Sequence, residues 1–82
     1  MKTHKILRVD WVDSANYSGW KHRSQTKEFE PSSCITCGIL TKVEKGSIGL
    51  TQSISDCDMC AEVMVIPRKV IKNIEVLSTF KY

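Results

Sequence analysis

No apolar run in this chain approaches the roughly 20 residues needed to cross a bilayer as a helix. The charged start, Met1-Lys2-Thr3-His4-Lys5, has no apolar stretch behind it. No secretory signal is therefore expected, and the expected compartment is cytosolic and reducing. Like charges do not form a block: twelve basic and nine acidic residues, net +3, are spread along the sequence. That distribution describes a mixed solvated surface better than a DNA-binding stripe. The small positive balance still suits a small anionic ligand. There is no internal repeat and no low-complexity tract. Phosphate loops, nucleophile elbows and paired-carboxylate motifs are missing too. His4 and His22 have no nucleophile close in sequence, and Asp10 and Asp13 point opposite ways on a strand. An enzyme is the least favoured class.

What is present is the composition of a small folded domain. Apolar residues make up 41% of the chain, which argues against disorder. Its 82 residues form one domain, 1–82, with a core small enough to need a metal, a disulfide or a partner subunit. Between Lys5 and Val12 the residues alternate, with Leu7, Val9 and Trp11 on one face and Arg8 and Asp10 on the other. That is the period of a half-buried strand. A turn-rich segment, Asp13 to Gly19, follows, and Lys21 to Ser33 then shows no apolar face. This stretch reads as a long loop with a short helical turn, ending at Pro31.

Residues 34–54 read as a β-hairpin, with Ile48, Leu50 and Ile54 inward and a tight turn at Glu44-Lys45-Gly46-Ser47 where Gly46 supplies a positive φ. Val63-Met64-Val65-Ile66 reads as a buried strand closed by Pro67, followed by one helical turn, Arg68 to Ile71, and a last strand, Asn73 to Leu77. An amphipathic helix over 62–77 is the competing assignment, which Pro67 and the density of β-branched residues disfavour. The expected fold is mainly β: a small five-stranded barrel with a long loop after strand 1.

Four cysteines fall in two pairs, Cys34-Ile35-Thr36-Cys37 and Cys57-Asp58-Met59-Cys60, separated by nineteen residues. The spacing fits a structural Zn2+ site, in which two tight turns present four thiolates as a tetrahedron. Gly38 would let backbone amides approach the Cys37 sulfur. Such a site would be closed, with no open position for a reactive water. Buried free thiols are the plain alternative, because residues at i and i+3 of a continuous strand face opposite sides. A redox pair or a disulfide is a third option.

Binding candidates lie elsewhere. Trp11, Tyr17 and Trp20 crowd one region with Asp13, Ser14 and Asn16. Aromatics with hydrogen-bonding neighbours stack on a nucleobase and read its edge. Either tryptophan could equally be a core residue. Arg68, behind Pro67, is placed to meet an anion, and an ordinary surface cation is its bland reading.

Two stretches carry a resemblance. One is Val9-Asp10-Trp11-Val12-Asp13-Ser14 with Gly19-Trp20. The other runs from Cys34 through Gly38-Ile39-Leu40, then Ile48, Leu50, Gln52 and Ser53, to Met64-Val65-Ile66-Pro67-Arg68 and Ile71. Together they resemble small proteins encoded by bacteriophages and prophages. Ile66-Pro67 with Ile71 and Ile74 is similar to the closing strand pair of an Sm-like or SH3-like barrel. The resemblance implies a homo-oligomeric barrel in the cytoplasm of an infected bacterium, of the type that sequesters nucleotide immune signals. The ligand would sit near Trp11, Asp13, Ser14, Trp20 and Arg68. Cys37, where the group carries an aliphatic residue, and Cys57 and Cys60 depart from the pattern, which weakens the zinc reading. A zinc-ribbon-like module binding nucleic acid or a host protein is the alternative.

Overall fold

A computed structural model describes residues 1–82. Five strands carry the chain: β1 (Thr3–Asp13), β2 (Ser32–Val43), β3 (Ser47–Ile54), β4 (Cys60–Pro67) and β5 (Ile71–Lys81). Two short 3-10 helices, Arg23–Glu28 and Arg68–Val70, interrupt them. The strands make one antiparallel sheet in the order β4-β3-β2-β1-β5. The first four form a meander, and β5 swings back to pair with β1. β4 and β5 are not paired with each other, so the sheet has two open edges. No helix is long and apolar enough to cross a membrane.

The alternation in β1 works as the sequence suggests. Leu7 and Val9 are buried, and Trp11 packs beside them. The core is completed by Ile48 and Leu50 from β3 and Ile66 from β4, with Leu40, Val70 and Ile71 packed against it. Every strand thus contributes to one small core, around which the sheet curls. On the outer face Arg8 donates to the Asp10 carboxylate at 3.0 Å. That hydrogen bond, with the charge of Asp10, holds the guanidinium above its ordinary pKa.

Strand β2 is the bend. Its first part pairs with β1, its last part with β3, and Ile39 touches both, opposite Ile6 and Thr51. Gly38 sits at that point. A Cβ there would lie 3.0 Å from the Thr51 carbonyl oxygen and 3.1 Å from the Leu50 Cβ. The glycine serves close packing of β3 over β2, within a strand and not in a thiol-bearing turn. A bulge follows between Leu40 and Lys42, and Gly49 makes room for it: a Cβ would meet Thr41 Oγ1 at 2.7 Å.

Three local expectations are corrected. Gly46 does not adopt a positive φ; Gly19 is the glycine that does, at 87°. The strand at 63–66 is not buried as a whole: Ile66 is covered, but Val63, Met64 and Val65 are each about half exposed. Being on an edge, β4 has a neighbour on one side only, so its apolar residues outnumber its buried positions. The last strand is also longer than 73–77, running to Lys81 along β1.

Candidate functional site

The segment between β1 and β2 forms an arm with its own small structure. Tyr17 and Phe29 stack with ring centroids 4.2 Å apart and planes 7° apart, and the Tyr17 hydroxyl donates to the Glu30 carbonyl at 2.8 Å. This pair closes the base of the arm. Gly19 in left-handed conformation turns the chain outward, and Trp20 stands fully exposed after it. The 3-10 helix then begins, with His22 N–H donating to Gln25 Oε1 at 3.0 Å and the Thr26 hydroxyl donating to the Arg23 carbonyl at 2.6 Å. Trp20, Lys21, His22 and Gln25 line a shallow cavity of about 320 Å³.

From Ser14 to Lys27 there is no carboxylate, while Lys21, Arg23 and Lys27 are cationic. An indole face beside uncompensated cations attracts flat anionic molecules: the ring stacks and the cations meet phosphate. Lys21 and Gln25 were not singled out in sequence, and His22 was weighed there only as a catalytic residue, though the carboxylate-free run around Trp20 is visible. The pairing of Tyr17 with Phe29 had no local signal, since they are twelve residues apart.

The five residues expected around the ligand are not gathered into one pocket. Trp11 is half-buried, packs on the core and donates its indole N–H to Thr36 Oγ1 at 2.9 Å. Asp13 and Ser14 end β1, where the Asp13 carboxylate accepts the Ser14 N–H at 2.8 Å. Arg68 is tied to the β2–β3 turn. Its backbone N–H donates to the Gly46 carbonyl at 3.0 Å and its side-chain Nε–H to the Glu44 carbonyl at 2.8 Å. Trp20 shares its cavity with none of these four.

The cysteines are similarly dispersed. Cys34 and Cys37 lie within unbroken β2, opposite Trp11 and Arg8, so their side chains leave opposite faces. Cys57 sits in the β3–β4 turn and Cys60 begins β4, and all four thiols are free. Nowhere are three or more His, Cys, Asp or Glu groups assembled for a metal. In this arrangement the donor set does not fit a shared four-thiolate centre.

Comparison with known proteins adds no relative. No family model, curated protein or solved structure matches the chain. The site has to be read from its own chemistry.

Proposed function

We propose that this chain is a non-enzymatic binding protein that sequesters a nucleotide-like signalling ligand, working as a homo-oligomer. The observation that carries the reading is Trp20: a fully exposed indole, on an arm closed by an aromatic stack, beside Lys21, His22 and Arg23. Base stacking on such a platform contributes about 1–3 kcal/mol per base. The phage-type, anti-defence role in an infected bacterial cytoplasm rests on the sequence resemblance. An Sm-like or SH3-like barrel is supported by the return of β5 to β1 through a single 3-10 turn.

Self-association is supported by the two edges. Val63 and Val65 on β4, and Val76 and Leu77 on β5, are each about half exposed. Long apolar edge strands left open are templates for pairing with another chain. A second copy supplies the complementary edge.

Calorimetry of the full chain against cyclic nucleotides and ADP-ribose derivatives tests the reading. Binding of at least one, lost in Trp20→Ala with the fold intact, is the expected result. No heat from any of them, from folded protein, overturns it. Salt-dependent capture of DNA or RNA in their place would favour the nucleic-acid alternative.

A further inference from the structure

A second site lies at the opposite end of β1 from the arm, unused by the reading above. The β3–β4 turn is strongly pre-ordered there. Ser55 N–H donates to the Met59 carbonyl at 2.8 Å, and Asp58 N–H to the Ser55 carbonyl at 3.0 Å. The Ser55 hydroxyl oxygen accepts from the N–H groups of Cys57 and Met59 at 3.3 and 3.1 Å. These bonds hold Asp58 in left-handed conformation, φ 61°, an arrangement a non-glycine residue keeps only when its surroundings enforce it. Facing the turn is an edge fixed by reciprocal backbone bonds between Lys2 and Tyr82, at 3.0 and 2.9 Å. The Lys2 ammonium meets the Asp58 carboxylate at 3.3 Å across the gap.

That ion pair spans a cavity of about 360 Å³, lined by Lys2, His4, Ser55, Asp56, Asp58 and Tyr82 among others. A second cavity of about 220 Å³ shares Lys2, His4 and Asp58 and reaches Leu40, which packs on the core. Together they form one open mouth at this end of the sheet, and concave sites of this kind take small molecules.

We infer that this mouth binds a nucleoside, its ribose diol on the Asp58 carboxylate and its base against Tyr82 and His4. The chemistry of the lining fits that class. Two carboxylates, Asp56 and Asp58, accept hydrogen bonds from hydroxyls, and Lys2, the cation against them, is already paired with Asp58, so the lining favours the sugar and base over the phosphate end. The rings of His4 and Tyr82, with centroids 6.5 Å apart and planes tilted by 55°, supply aromatic surface for the base, and the Phe80 ring lies against His4 with centroids 5.5 Å apart. The volume is near the lower end of the range for small-molecule sites, about 300–1,000 Å³, which suits one nucleoside. The Lys2–Asp58 pair is well exposed on both sides, so the diol displaces Lys2 at small cost. This rests on the nucleotide reading only in its choice of ligand class.

The test is an NMR titration of the full chain with adenosine, which has no phosphate, and with 2′,3′-dideoxyadenosine, which has no diol. Adenosine is expected to shift the amide signals of His4, Ser55 to Asp58 and Tyr82. The dideoxy compound should bind at least tenfold more weakly. Asp58→Asn, which tolerates the left-handed backbone, and Tyr82→Ala should each weaken adenosine at least tenfold while the spectrum stays dispersed. Trp20→Ala should leave these shifts unchanged. Equal binding of the two nucleosides, or no shift in the turn, overturns the inference. Adenosine shifts at the mouth with no nucleotide held at Trp20 sink the arm reading alone. Nucleotide binding at the arm without response at the mouth sinks this one alone.

Discussion

Ile66 shows how much rests on single side chains here. It is the one fully covered apolar residue of β4, in a core of five buried apolar residues. Ile66→Ala is expected to cost about 2–5 kcal/mol, from lost burial and the cavity left behind. That shows as a large fall in the urea midpoint. Ile35→Ala, at an exposed position of β2, should stay within about 0.5 kcal/mol of the parent. The cysteines make a second prediction at this scale. Without a shared metal, Cys37, Cys57 and Cys60 should react rapidly with a thiol reagent in the folded state, and half-buried Cys34 more slowly. Native mass spectrometry should find no zinc per subunit. Protection of all four thiols, lost on chelation, would restore the zinc reading. Spacing alone left the two outcomes open. What separates them is whether Cys34 to Cys37 is a turn or a strand, and β1 decides that by pairing with every residue from Ser32 to Ile39.

Among the elements, β2 and the arm carry the distinctive features. Gly38→Ala presses a methyl against the backbone of Thr51 and the side chain of Leu50 where the sheet bends. Overpacking of this kind costs about 1–3 kcal/mol, read as a lowered melting temperature. The arm should respond differently. Phe29→Ala removes the stack on Tyr17, a contact worth about 0.5–1.5 kcal/mol. Tryptic cleavage at Lys21 and Arg23 should then speed up roughly two- to tenfold, with the global unfolding midpoint nearly unchanged. An unaltered cleavage rate would show that the stack does not order the arm.

At the scale of the whole molecule, size and shape bear on the proposed self-association. Seven buried residues of 82 are few, and both sheet edges carry exposed apolar side chains. Pairing β4 of one copy with β5 of the next would cover both edges, and such head-to-tail contacts close into rings when the rotation allows. Light scattering is expected to give a multiple of the 9.3 kDa chain mass. Val63→Lys or Val76→Lys, placing charge on either edge, should shift the protein toward the single chain. A wild-type mass of 9.3 kDa at every concentration would remove self-association from the proposed function.

The positions of all five strands were legible in the sequence. So were the inward set Leu7, Val9, Ile48 and Leu50, and the short helical turn after Pro67. Those features follow from alternation and turn chemistry, which act between near neighbours in the chain. The exposed Trp20 was legible as a candidate after a turn-rich segment, and Trp11 as part of an alternating strand, yet for each the sequence left core and ligand contact both open. Only the tertiary structure put one indole on the core and the other into solvent, through the partners each meets. The same holds for Val63 and Val65, apolar yet half exposed, since an edge strand lacks a second neighbour. It holds again for the mouth at Lys2 and Asp58, 56 residues apart, which exists only because the sheet curls. Alternation tells which face of a strand turns inward, but how far that face is covered, and which remote residues meet, is set by how distant segments close around one another.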